Sequence, residues 1–213
     1  KSNLATHLAY QFDGEVVNVD SRQIYCRMDI GTAKPTHEQR SQIPHHLIDI
    51  VDPDQEFSLA LFLELAHETI SDICSRNKLP ILAGGTGQYV WALLEGWQVA
   101  QVKADRPLRQ HLEKVAADEG SLTLHKQLLE VDPESAQRID HRNVRRVIRA
   151  LEIFQTTGTT ATALRRKTPR EYPSRVLGLD TPREDLYQKI DERVDQMLSS
   201  GLLQEVQELL ASG

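Results

Sequence analysis

The sequence contains few cysteines, few aromatic residues and no long apolar run. Only two cysteines, Cys26 and Cys74, occur in 213 residues, and aromatic residues make up 5% of the chain. The cysteine spacing fits neither a disulfide framework nor a metal site, so we expect a reducing, cytoplasmic compartment. No apolar stretch approaches the ~20 residues of a membrane-spanning helix, and no signal peptide is visible, so we expect no membrane partner.

The chain is also short of positive charge, with 25 basic and 31 acidic residues and a formal net charge of −6. Taken alone, this balance argues against nucleic-acid binding. From Arg138 to Arg175, however, ten basic residues stand against three acidic ones, so this basic segment carries +7 and the rest of the chain −13. Such segregation is typical of a polyanion site on an acidic protein. The alternative is a solvated helix face.

Apolar residues recur at spacings that predict alternating strands and helices. Three strands are predicted, at residues 15–19, 79–83 and 175–180. Two long helices are predicted, one at 57–76 with Ser58 as its N-cap and one striped by Leu186, Ile190, Val194 and Met197 that Gly201 ends. The alternation predicts an α/β fold with a parallel sheet flanked by helices.

Residues 96–172 interrupt this alternation, because they are helical and poor in strands. We therefore expect a core formed by residues 1–95 and 173–213, with 96–172 as a helical insertion that carries the basic segment. On a helix predicted at 142–155, Arg142, Arg145 and Arg149 share one side and apolar residues share another. One face can then pack while the other meets phosphates.

Polar residues that suit a phosphate site stand at three places. Lys1-Ser2 opens an apolar helix pattern, as at the end of a phosphate-binding loop, where a Lys binds phosphate and a Ser hydroxyl holds Mg²⁺. Asp20 follows the first predicted strand, and Thr86 follows the second within Gly84–Gly87. Parallel strands end at one sheet edge, where ligands bind, so these residues should converge. By local sequence alone, Asp20 could be a helix N-cap, and Gly84–Gly87 could be a tight turn with Thr86 as its cap, but the three segments together favour the phosphate site.

These motifs and several others occur in the order found in the tRNA dimethylallyltransferases, which the chain resembles over almost its whole length. The matching segments are Lys1-Ser2, Asp20-Ser21-Arg22-Gln23-Ile24-Tyr25, Gly31-Thr32-Ala33-Lys34-Pro35, Pro44-His45-His46-Leu47-Ile48-Asp49, Gly84-Gly85-Thr86-Gly87-Gln88-Tyr89, Asp132-Pro133, Arg146-Val147-Ile148-Arg149-Ala150-Leu151-Glu152, Thr157-Gly158, Ile190 to Met197 and Gly201-Leu202. The family's glycine-rich loop and first strand would precede Lys1, and its last segment would follow Gly213. The resemblance implies a P-loop NTPase-like core with a helical insertion that binds tRNA.

The resemblance also implies a reaction and its residues. A dimethylallyl group would move from dimethylallyl diphosphate to the N6 amine of the adenosine 3′ of the anticodon. Asp20 would be the general base and Thr86 would stabilise the leaving group, while Lys1, Ser2 and Arg193 (or Arg183) would hold the diphosphate and Mg²⁺, with Ser2 as metal ligand. The anticodon stem-loop would contact Asp20, Ser21, Arg22, Gln23, Arg109, Arg145, Arg146, Val147, Ile148 and Arg149. A monomer is expected; whether ATP binds stays open.

Two other functions fit parts of the sequence. A nucleotide kinase uses the same loop and Mg²⁺ to move a phosphoryl group, and its arginine-rich lid could account for the basic segment. A non-catalytic RNA-binding module with a vestigial phosphate site is the second alternative.

Overall fold

A computed structural model describes residues 1–164, 166–168 and 173–212, except for the Arg166 side chain. Two compact units are present: Lys1–Leu94 with Glu171–Gly213, and Glu95–Arg170. The chain runs α1 (Ser2–Gln11), β1 (Gly14–Asn18), α2 (His37–Gln42), β2 (His45–His46), α3 (Leu59–Ser75), β3 (Leu79–Ala83), α4 (Gly87–Glu95), β4 (Trp97–Gln98), α5 (Arg106–Asp118), α6 (Ser121–Val131), α7 (Pro133–Arg138), α8 (Val144–Thr157), α9 (Ala161–Leu164), β5 (Arg166–Lys167), α10 (Arg183–Ser199) and α11 (Leu202–Ala211).

The first unit contains a parallel sheet of three strands in the order β2-β1-β3. All five residues of the central strand β1 are buried, so both of its faces are covered. Helix α1 packs Ala5 and Ala9 against Val16, while α3 contacts β1 and β3 and buries Phe62 completely. The expected α/β fold with a parallel sheet flanked by helices is confirmed.

Helix boundaries follow the capping chemistry of the sequence. Ser58 Oγ accepts a hydrogen bond from the Leu61 N–H, which makes Ser58 the N-cap of α3 as expected. Helix α10 ends before Gly201, whose φ of +100° lies in the left-handed region that glycine tolerates. Three of the apolar residues that stripe α10 nevertheless stay largely exposed, namely Leu186, Ile190 and Val194.

The strand expected at 175–180 is wrong. Residues 173–182 have no regular secondary structure, and Val176, Leu177 and Leu179 are exposed. An apolar run becomes a strand only where a neighbouring strand satisfies its backbone groups, and no described strand pairs with this run. The third position in the sheet is instead taken by β2, which pairs with β1 through Val16 and Val17.

The second unit is mainly helical, with its core formed between α5, α6, α7 and α8. Leu112, Leu124, Leu128 and Val147 are buried there at the centre. Asn143 caps the start of α8 by accepting from the Arg146 N–H, so Arg142 stands before the helix and not on its face. Strands β4 and β5 pair in an antiparallel ribbon of two residues each.

Candidate active site

Asp20 lies just beyond the carboxyl end of the central strand. The buried Asn18 amide fixes this turn, because its Oδ1 accepts from the Asp20 N–H at 3.1 Å and its Nδ2 donates to the Leu47 carbonyl at 2.9 Å. Asp20 Oδ1 accepts from the Arg22 N–H at 2.9 Å. Within the described part of the chain Oδ2 has no hydrogen-bond partner, so one oxygen of this half-buried carboxylate stays available to a ligand.

Thr86 reaches the same place from the end of β3. A Cβ on Gly84 would lie 2.4 Å from the Val19 carbonyl carbon, so only glycine lets the two strand ends approach this closely. The Thr86 N–H then donates to the Val19 carbonyl at 3.2 Å. Thr86 Oγ1 accepts from the Ser21 N–H at 2.8 Å and donates to Ser21 Oγ at 3.1 Å. Sequence order gave no hint of this link to Ser21.

Lys1 lies close to these residues, beside Gly85. A Cβ on Gly85 would lie 3.5 Å from Asp20 Oδ2 and 3.7 Å from Lys1 Nζ, so both charged groups approach one bare stretch of backbone. Among the described residues, neither Lys1 nor Asp20 has an ion-pair partner. The edge of the sheet therefore brings an ammonium, a carboxylate and a hydroxyl close together.

Ser2 and Arg193 make no such link to the site. The Ser2 hydroxyl has no hydrogen-bond partner within the described residues, which leaves its oxygen available to a metal ion. Arg193 is exposed on α10, and across residues 1–164, 166–168 and 173–212 it forms no hydrogen bond or ion pair. Its alternative, Arg183, donates to the Tyr187 hydroxyl at 2.9 Å and stacks over the same ring.

Buried Glu152, which the sequence analysis did not assign a role, engages two of the expected tRNA-binding arginines. Its carboxylate accepts two hydrogen bonds from Arg109, at 2.8 and 2.9 Å, and one from Arg149 at 2.5 Å. The Asp105 N–H donates to it at 2.8 Å. Burial raises the pKa of Glu152, but the bonds from Arg109 and Arg149 outweigh it and hold the pKa at about 2. Both arginines thus have a structural role in the second unit.

The other residues of α8 that are expected to bind tRNA differ in their exposure. Val147 and Ile148 have buried side chains in the core of the second unit, so neither side chain can meet RNA. Arg145 and Arg146 are exposed at the start of α8 and have no acidic partner among the described residues. Among the described side chains of the basic segment, those of Arg138, Arg142, Arg149 and Lys167 pair with acids. Arg165 and Arg170 lie outside the described residues.

Neither a metal cluster nor a membrane span is found in the described structure. No group of three or more His, Cys, Asp and Glu side chains comes together there in a way that could hold a metal ion. His45 and His46 instead bond to the Ile43 carbonyl and to Glu15. No described helix is both long and apolar enough to cross a membrane.

Comparison with known proteins shows to which family the chain belongs. Residues 23–213 match the family model described as IPP transferase. The tRNA dimethylallyltransferase of Roseiflexus castenholzii is 50% identical over all 213 residues, which span 70% of that protein. The chain belongs to the tRNA dimethylallyltransferase family. It is therefore a transferase of prenyl groups, and neither a nucleotide kinase nor a non-catalytic module.

Two solved structures agree. The full-length tRNA isopentenylpyrophosphate transferase of Bacillus halodurans is 42% identical with a TM-score of 0.66, and the match covers 100% of this chain and 67% of that one. A eukaryotic dimethylallyltransferase described as acting on tRNA is 32% identical with a TM-score of 0.78, covering 100% of this chain and 53% of that one. The three-stranded parallel sheet flanked by helices is thus the P-loop-type core of this family.

Proposed function

We propose that the protein transfers a dimethylallyl group from dimethylallyl diphosphate to the N6 amine of the adenosine directly 3′ of the anticodon, adenosine-37, and releases diphosphate. The observation that carries this proposal is the convergence of Lys1, Asp20 and Thr86 on Gly85 at the carboxyl edge of the sheet. Together they offer a cation for phosphate, a base for a proton and a hydroxyl for a leaving oxygen. The reaction needs these three groups.

Asp20 acts on the nucleophile. As the bond between N6 and the allylic carbon forms, the amine must lose a proton, because N6 would otherwise carry a positive charge. The exocyclic amine of adenine is a poor nucleophile, so a base that accepts this proton assists the attack. Asp20 Oδ2 is free to accept that proton, while the bond from the Arg22 N–H to Oδ1 fixes the orientation of the carboxylate. Ser21, Arg22 and Gln23 directly follow Asp20, and we assign to them the contacts with the nucleotide that presents the amine.

Thr86 and Lys1 act on the leaving group. When the allylic C–O bond breaks, its electron pair and negative charge go to the diphosphate. Donors placed before the reaction stabilise this charge most effectively. Thr86 Oγ1 can donate to the bridging oxygen if that oxygen replaces Ser21 Oγ as its acceptor. Lys1 is the cation for the phosphates, and Arg193 on α10 is assigned to the same diphosphate.

The donor set also fits Mg²⁺. This ion prefers oxygen ligands and commonly binds through few protein groups together with substrate phosphates. Ser2 Oγ, free of other bonds among the described residues, is the ligand that we assign to it. A bound Mg²⁺ would neutralise the charge of the departing diphosphate.

A grip on tRNA outside the site completes the proposal. The target base must leave its stack to reach a site at the sheet edge, so the anticodon stem-loop must be held elsewhere. We assign this role to the second unit, with Arg145 and Arg146 as the phosphate contacts because they are exposed and have no acidic partner among the described residues. Arg109 and Arg149 are assigned a lesser part in this contact, because Glu152 engages both of them.

The test is mass spectrometry of tRNA nucleosides. Full-length enzyme is incubated with dimethylallyl diphosphate, Mg²⁺ and unmodified tRNA, and N6-dimethylallyl-adenosine is expected at the position 3′ of the anticodon. A parallel incubation with ATP and a mononucleotide should give no phosphate transfer. Modification at another nucleoside, or of free adenine nucleotide alone, would contradict the proposal.

The hydroxyl of Thr86 should matter more than its shape. Thr86→Val is nearly isosteric but removes both the donor to the leaving oxygen and the acceptor of the Ser21 N–H. We expect turnover to fall by about 10²-fold or more, the scale for losing one such donor. Thr86→Ser should stay within a few-fold of the parent. Ser21→Ala removes only the hydroxyl that accepts from Thr86 Oγ1 and keeps the Ser21 N–H, so it tests that one bond by itself. Equal losses in Thr86→Val and Thr86→Ser would show that Thr86 only packs.

Arg145 and Arg146 should set the salt dependence of tRNA binding. Each phosphate that an arginine neutralises releases counterions, so removing one contact should flatten the slope of log affinity against log salt by roughly 0.7–0.9 units. Arg145→Ala and Arg146→Ala are compared with Lys114→Ala, an exposed basic residue on α5 outside the basic segment. If all three keep the slope of the parent, the RNA is bound elsewhere.

A further inference from the structure

Three successive backbone N–H groups converge on one carboxylate in the first unit. Glu205 Oε2 accepts from the N–H groups of Asp29 and Ile30, both at 2.7 Å, and Oε1 accepts from the N–H of Gly31 at 2.9 Å. Glu205 lies on α11, more than 170 residues later in the chain. Both carboxylate oxygens are therefore used to hold one short loop, residues 29–31.

The contact is closely fitted. A Cβ on Gly31 would lie 3.2 Å from Leu202 Cδ1 and 3.4 Å from Glu205 Oε1, so the missing side chain lets α11 approach the loop. An acid in the first turn of a helix is favourable through the helix dipole alone, which is the simplest explanation of Glu205. That effect requires no partner, however, whereas this carboxylate collects three donors from a distant loop.

The two residues that follow this loop hold Gln23. Its Nε2 donates to the carbonyls of Thr32 and Ala33, at 3.0 and 3.1 Å. Because both acceptors are backbone carbonyls, the amide orientation is fixed, and Oε1 has no hydrogen-bond partner among the residues that the structure describes. Lys34, which follows Ala33, has an almost fully buried side chain. Its ammonium group bonds to the Tyr25 carbonyl, Asp29 and Asp49, and these bonds hold the end of the segment in place.

We propose that Glu205 is a positioning residue for prenyl transfer. By fixing residues 29–31 it fixes the carbonyls of Thr32 and Ala33, which hold Gln23 in the segment that begins at Asp20. Helix α11 thereby determines how that segment meets the adenosine. The inference rests on the proposed function, which places Asp20 to Gln23 against the target nucleotide.

A double-mutant cycle tests this coupling in the full-length enzyme. Glu205→Ala and Gln23→Ala should each lower kcat/KM for tRNA by about 10-fold to 10²-fold, the cost expected when a reacting group shifts by about 1 Å. If Glu205 acts through Gln23, the double variant should be no worse than the poorer single variant. KM for dimethylallyl diphosphate should stay unchanged, and amide exchange at residues 29–31 should quicken only in Glu205→Ala.

Glu208→Ala is the matched control, because Glu208 lies one turn further along α11 and accepts a hydrogen bond from Gln204 of the same helix. It should keep the kinetics of the parent. Additive losses in the double variant would overturn the inference while leaving the proposed function intact. Normal kinetics of Gln23→Ala would instead overturn the role of Gln23, and the inference with it. If Glu205→Ala does not fold, Glu205→Gln, which keeps one accepting oxygen, is used for the same cycle.

Discussion

Replacing Asp20 with alanine should lower turnover by about two to four orders of magnitude, the usual contribution of a positioned general base. Its Oδ2 would lie 3.5 Å from a Cβ placed on Gly85, which Lys1 Nζ also approaches. Single-turnover kinetics with prebound tRNA should show the loss directly. Affinity for tRNA should change much less, because one carboxylate contributes little to a contact dominated by phosphates.

Asp20→Asn sharpens the test. Asparagine keeps an oxygen that can accept from the Arg22 N–H, so the turn after β1 should survive, but its amide cannot accept the proton from N6. If Asp20 is the general base, Asp20→Asn should be about as inactive as Asp20→Ala. A variant Asp20→Asn with near-parent turnover would mean that Asp20 only shapes the turn, and the base would have to be sought elsewhere.

The convergence at the sheet edge could be predicted from sequence, because strand direction alone determines it. Once Glu15–Val19 and Leu79–Ala83 were expected to be parallel strands, Asp20 and Thr86 had to lie at one edge. The pairing of β1 with β3, from Gly14 with Leu79 to Asn18 with Ala83, confirms this. The bond between Thr86 and Ser21 could not be predicted from the sequence, since it depends on how closely Gly84 lets the two strand ends approach.

The strand expected at residues 175–180 is absent because strand formation depends on a pairing partner as well as on propensity. A run such as Val176–Leu179 shows strand propensity, but a strand also needs a partner, and propensity carries no information about partners. Conversely, His45–His46 is too short and too polar to be recognised by pattern, yet it pairs with β1. Strand pairing depends on both strands, and the local sequence of one strand does not identify its partner.

The basic segment shows the same limit for charge. Its excess of arginine is real in sequence, but an arginine count cannot tell a solvated guanidinium from one that faces an acid. Glu152, at the end of the motif from Arg146, is completely buried and takes up both Arg109 and Arg149. A glutamate on the apolar side of an amphipathic helix pattern was the available signal, because such a residue is seldom buried without a partner.

This arrangement makes the stability of the second unit depend on Glu152. Replacing it with alanine should lower the free energy of unfolding of that unit by about 2–3 kcal/mol, less than for a fully buried pair because both arginines are about one-third exposed and can reach water. Arg149→Ala should destabilise the unit too, whereas Arg145→Ala should not. Thermal or urea unfolding of these three variants separates the structural arginine from the exposed one.

The same carboxylate predicts an acid-sensitive unit. The pKa of Glu152 is lowered from 4.5 to about 2, so its stabilising effect is complete above about 4.5 and is lost as the pH falls towards 2. Glu15 of the first unit, whose pKa the bonds from Arg76 also lower to about 2, loses its effect over the same range. The parent must therefore be compared with Glu152→Gln, which should be less stable at neutral pH and should lose less stability on acidification. If both lose stability equally between pH 5 and pH 2, Glu152 is not the group that binds Arg109 and Arg149 in solution.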